Sequence, residues 1–285
     1  MQMGAVLWRT TWRSVLVAIS YAFGLMVAGI IGGVLGWQMT AKPGSEQGLV
    51  PVFASIVLLG FFLGPLAGRL GLSRIQHLVL WGSLIVFNLG SVALEGAYFA
   101  PDLVSLPVPV LLAQQLLATL AAGLAITLLF GRLGSSVSWK AALQTRPWHS
   151  WLWRFLISAL SYLAFYFVFG GLNYSLVTKP YYETHAGGLT VPAPEIVLLL
   201  EAIRGVLIAF SVLLLLLSMR GSRRKLMITT GWLLFAVGGI IPLVWQINML
   251  PLFLLFASAI EIFFQNFLTG VVAAWLMGIP GPGES

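Results

Sequence analysis

The chain has 285 residues, of which 59% are hydrophobic and only 8% charged. Soluble domains carry about 25% charged residues, so this chain cannot cover itself with a water-facing surface. Its formal charge of +7 sits in short basic clusters beside apolar runs. With no basic helix or aromatic-studded polar sheet, that placement excludes nucleic-acid binding and indicates lipid-headgroup contact. The absence of cysteine excludes disulfides, thiol catalysis and cysteine-ligated metals.

Arg9 and Arg13 precede the first apolar run, Ser14–Gln38. It exceeds the ~7–15 residues of a signal-peptide core and reads as a first membrane helix. Seven further runs follow: Val50–Leu70, Ile75–Ala97, Pro107–Gly131, Trp151–Leu172, Pro194–Met219, Leu226–Gln246 and Leu250–Met277. A helix rising ~1.5 Å per residue crosses ~30 Å of hydrocarbon in about 20 residues, so each run is a candidate span. The fold class expected is an all-α polytopic membrane protein with eight transmembrane helices, integral to a plasma or bacterial inner membrane.

The loops give an orientation. Arg9, Arg13, Arg69, Arg74, Arg132, Lys140, Arg146, Arg154, Arg220, Arg223, Arg224 and Lys225 fall at one set of helix ends, and Lys42 and Lys179 at the other. Such a bias places the basic ends, and with them both termini, in the cytoplasm. Trp8, Trp12, Trp148, Trp151 and Trp153 near the basic ends, and Trp37 and Trp245 near the others, read as interfacial anchors.

The two halves look duplicated. Thr40–Pro51 (TAKPGSEQGLVP) and Thr178–Pro192 (TKPYYETHAGGLTVP) share a Lys-Pro start, a Gly-Leu and a closing proline. Ser73-Arg74 matches Ser222-Arg223, and Gly123 and Gly131 match Gly270 and Gly278 in spacing. Two four-helix repeats are expected, 1–138 and 139–285. Four is even, so they run parallel, related by an axis along the membrane normal. Gly29 and Gly33, with Gly60, Gly64 and Gly68, recur every four residues, as helices do where backbones approach closely. They serve packing within the repeat, or a partner helix or second copy. Pro65 and Pro242 are expected to kink their helices.

Chemistry is expected where lipid would otherwise meet polar groups. Glu201 and Arg204 lie three residues apart within Pro194–Met219, on one helix face. Intramembrane charges face a protein interior, a partner or a water-filled cavity, because hydrocarbon cannot solvate them. Asn88, Gln114, Gln115, Glu261, Gln265 and Asn266 complete the intramembrane polar set. The expectation is that Arg204 pairs with Glu201, Glu261 or both. Aligning Gly123 with Gly270 sets Gln114 opposite Glu261 and Thr119 opposite Asn266, so polar positions recur in both halves. The candidate binding residues are therefore Glu201, Arg204, Glu261, Gln265, Asn266, Asn88 and Gln114.

Glu201-Ala202-Ile203-Arg204-Gly205 resembles the Glu…Arg-Gly stretch of the CAAX-type membrane proteases over five residues. That family's pattern has paired glutamates and histidines on following helices. Here alanine adjoins Glu201, and the only histidine near a core is His77 at a helix edge, so the protease reading is rejected. His77, His149 and His185 form no metal cluster and are expected at interfaces or in solvent. The loop Asn173–Val191, with Tyr174, Tyr181 and Tyr182, is expected as interfacial anchors or a lid.

The leading expectation is a transporter or permease-like protein that binds a small solute, lipid or proton, without cofactor or metal. Glu201 and Glu261 would supply negative charge and Arg204 would anchor an anionic group. The alternatives are a non-transporting membrane subunit or assembly protein with a structural charge cluster, and, third, an intramembrane enzyme.

Overall fold

The computed structural model describes residues 2–37, 48–102, 106–185, 188–279 and 281. Among them are eight helices long and apolar enough to cross a membrane, and no strand. They are α1 (Gln2–Val34), α2 (Leu49–Ala67), α3 (Arg74–Phe99), α4 (Val108–Phe130), α5 (Trp148–Glu183), α6 (Pro194–Ser218), α7 (Arg223–Trp245) and α8 (Leu252–Met277). This is the pattern of a multi-pass integral membrane protein. Helices suit that solvent because each satisfies its own backbone hydrogen bonds. The first loop signature, Thr40–Pro51, lies mostly outside the described residues.

Two boundaries differ from expectation. The helix predicted over Ser14–Gln38 begins at Gln2, so Trp8, Arg9, Trp12 and Arg13 belong to its first turns. Trp151–Leu172 also proves too short: α5 runs on to Glu183 through π-helical turns at Tyr166–Gly170 and Tyr174–Thr178. Most of the stretch expected as a loop from Asn173 is therefore helical, and the tyrosines expected in a lid sit on a helix.

Local sequence explains the helix starts. Ser73 caps α3 in a reciprocal capping box with Gln76, and Ser222 caps α7 by accepting from Lys225 N. Pro194 occupies the first position of α6, where a missing N–H costs nothing. Pro65 lies inside α2, which continues through it. Pro242 follows a π-helical turn, Ala236–Ile240, in α7. Proline gives no N–H to the carbonyl four residues back, here Gly238, and the wider register is where the helix absorbs that loss.

The helices pack in two sets of four. In the first four helices α1 packs on α2 and α4, and α3 on α4; in the last four α5 packs on α6 and α8, and α7 on α8. The two sets meet where α3 lies on α6 and α2 on α7. Glycines sit at two of these contacts. Gly60 abuts the Ser14 carbonyl of α1, and a Cβ on Gly205 would stand 2.6 Å from the Ala159 carbonyl of α5. Gly64 also faces Ser14, Gly68 faces Phe130, and Gly29 and Gly33 have open space beside them. At the basic ends Arg132 N donates to Leu72 O and Gly281 N to Gly221 O, each at 3.2 Å, tying the turn between the second and third helices of each set to the end of the fourth.

Several basic residues bond helix ends. Arg146 donates to Leu276 O (3.1 Å) and Gly278 O (2.9 Å), and Arg154 to Leu276 O (2.6 Å). These satisfy carbonyls that the C-terminus of α8 leaves open, where a cation also complements the helix dipole. Burial, with Arg154 and Arg223 nearby, lowers the Arg146 guanidinium from its ordinary value.

Candidate functional site

A cavity of about 750 Å³ lies between the two helix sets, in the half of the molecule away from the basic ends. All eight spanning helices contribute to its wall, from Leu25 of α1 to Glu261 and Gln265 of α8. Its size falls within the ~300–1,000 Å³ of small-molecule pockets. Much of the wall is apolar, and the charged side chains on it are Glu95, Arg204 and Glu261. A smaller cavity of about 250 Å³ beside Gly29, Gly32 and Gly33 shares Gln114 and Leu106 with it.

Arg204 is 5% exposed and reaches across the seam between the sets. Its guanidinium forms a short charge-assisted bond to Glu95 of α3 and stands 3.6 Å from Glu201 of its own helix. Tyr162 of α5 donates to the same Glu201 oxygen at 2.9 Å and offers its ring face to the guanidinium at 5.4 Å. Glu201 is fully buried and lies behind the cavity wall rather than on it. Arg204 therefore faces two carboxylates already, both through Nη1, while its Nε is buried with no partner among the described residues.

Of the two acids expected beside Arg204, Glu201 pairs with it and Glu261 does not. Glu261 accepts instead from Asn173 of α5 and, at 2.7 Å, from Gln265 one turn along α8. The π-helical turns of α5 make this contact possible. They bracket Asn173 and bring Gly170 so close that a Cβ there would lie 3.1 Å from Glu261 Oε1. Phe169 stacks on Phe264 at 5.0 Å and fixes the same helix pair. No cation pairs with Glu261 among the described residues.

The remaining polar residues divide between wall and interior. Gln114 and Glu261, set opposite each other by the repeat alignment, both line the cavity, as do Gln115 and Gln265. Gln115 accepts from Tyr21 Oη at 2.8 Å. Asn88 and Asn266, each 1% exposed, flank Gly238 in the π-helical turn of α7. Asn88 donates to Leu84 O at 2.8 Å, whereas Asn88 Oδ1 and Asn266 Nδ2 have no partner among the described residues. His77, expected in an interface, is fully buried and accepts from Trp81 Nε1 at 2.9 Å; His149 and His185 are exposed.

Sequence reasoning missed Glu95. It lies within the third apolar run, seven residues after Asn88 and so two turns along the same face. The reasoning that singled out Glu201, a carboxylate inside an apolar span, applied equally to it. No metal-binding group of three or more His, Asp or Glu occurs among the described residues. The chain matches no protein-family model, and no curated protein or solved structure matches it.

Proposed function

We propose that this chain is a transporter that binds a small solute in the chamber between two parallel four-helix halves, 1–138 and 139–285, and passes it across a plasma or bacterial inner membrane. The observation that carries the reading is a chamber walled by every spanning helix, with polar groups from both halves. The paired pattern of helix contacts supports a near-two-fold axis along the membrane normal: α3 on α6 is answered by α2 on α7. With the basic ends in the cytoplasm, the chamber faces outward. Asn88 and Asn266 support the wall from behind, and Gln114, Gln265 and Glu261 meet the solute.

Glu95, Arg204 and Glu201 have a different task. Their cluster joins α3 to α6 across the seam, which also favours a second reading, a membrane subunit whose buried charges only fasten helices. The readings differ in access. Because the chain lacks cysteine, Ser258→Cys on the chamber wall provides a single reactive thiol. In sealed vesicles, a membrane-impermeant quaternary-ammonium methanethiosulfonate should label it from each face, whereas a Leu198→Cys control on an exposed apolar position stays unlabelled. Labelling from one face only would exclude transport but keep the chamber; labelling from neither would end the reading.

A further inference from the structure

We infer that the ligand of this chamber is an organic cation, an ammonium or similar onium group held at Glu261. The inference rests on the chamber reading above and deepens it. The charges on the wall decide the sign. The charge of Arg204 is offset by Glu95 on the wall and by Glu201 behind it, both reached through Nη1, and Glu261 then leaves the wall net negative, although Arg204 Nε keeps an N–H without a partner among the described residues. Glu261 has two amide N–H partners and no cation, so its negative charge is hydrogen-bonded but not neutralised. Lys179, at the far end of α5, is paired with Glu183 at 3.6 Å and is absent from the wall.

The rest of the wall fits the same class. Tyr166, Phe167, Tyr174, Tyr182, Phe99 and Trp245 line it. Aromatic faces attract cations through the ring quadrupole, and a carboxylate among aromatic rings is how proteins hold quaternary ammonium groups. Tyr166 packs edge-on against Phe167, and Tyr174 packs tilted against Tyr182. A cavity of about 750 Å³ is far larger than a bare metal ion needs, and the described residues hold no metal-ligating cluster. Gly170 keeps the approach to Glu261 Oε1 open where any side chain would crowd it.

The test uses two ions of nearly equal shape and opposite charge, tetraphenylphosphonium and tetraphenylborate, with the full-length protein in detergent. Saturable quenching of tryptophan fluorescence, to which Trp245 on the wall contributes, should report phosphonium binding that the borate does not displace. Glu261→Gln should weaken phosphonium binding about tenfold or more, while the thermal midpoint stays close to that of the parent. The parent protein alone gives the sign, so a poorly folding variant does not remove the test. Equal binding of both ions, preference for the borate, absence of saturable phosphonium binding, or full affinity in a folded Glu261→Gln protein would each overturn the assignment. The chamber itself is judged separately by the Ser258→Cys labelling, which needs no ligand.

Discussion

Replacing Arg204 by glutamine removes the cation between two carboxylates and tests whether the seam between α3 and α6 is held electrostatically. At the 3.6 Å separating Arg204 from Glu201, and with an effective dielectric of about 20, one such pair amounts to about 5 kcal/mol before desolvation. Loss of one partner from a buried pair costs about 3–5 kcal/mol, because the remaining charge stays buried without compensation. At roughly 2–4 °C per kcal/mol, calibrated on soluble domains, the thermal midpoint of Arg204→Gln should fall by about 6–20 °C. Tryptophan fluorescence during heating in detergent reads it. Adding Glu95→Gln and Glu201→Gln should restore most of the loss, since no uncompensated charge then remains. A single variant as stable as the parent, or a triple variant destabilised by the sum of its parts, would refute the electrostatic account of the seam.

Two further outcomes follow from the packing. A Cβ at Gly231 would approach Phe267 O to 2.9 Å, whereas one at Gly82, the corresponding position on α3, meets nothing within 4 Å. Gly231→Ala should therefore lower stability by about 1–3 kcal/mol through overpacking, and Gly82→Ala should be neutral or slightly stabilising in the same melts. Arg154→Ala removes a charge-assisted bond to the C-terminus of α8 and should cost about 1–3 kcal/mol; hydrogen exchange at the end of α8 would show the fraying.

The eight spans were readable because lipid imposes a simple demand on sequence, a long apolar run, and all eight runs became helices. What apolarity does not encode is where a helix ends in a polar interface. Trp8 to Arg13 continue α1 although they resemble a flank, and Asn173 to Glu183 continue α5 although they resemble a loop. Apart from Glu95, the polar residues of the site were legible singly, and so was the Glu201–Arg204 pair within one helix; the pairing between helices was not. Choosing between Glu95 and Glu261 for Arg204 depends on which helices cross the seam, and no spacing within one helix reveals that. Of the π-helical turns, Tyr174–Thr178 and Ala236–Ile240 are each followed two residues on by a proline, Pro180 and Pro242, whereas nothing marks Tyr166–Gly170.

The connection between α4 and α5 is attached on both sides almost to its middle. Ser136 N bonds Gly71 O, and Val137 O accepts from Gln76 Nε2 of α3; one residue later, past Ser138, Trp139 Nε1 bonds Ser218 Oγ at the end of α6. Ser138 is the one residue between the two attachments, and the two steps across it span at most about 7 Å. Two bodies pinned so closely at one end behave like a clothes peg: they can splay at the far jaws but cannot be drawn apart at the pivot. Any parting of the two helix sets would therefore open first in the half that holds the chamber, with the pinned end as its pivot.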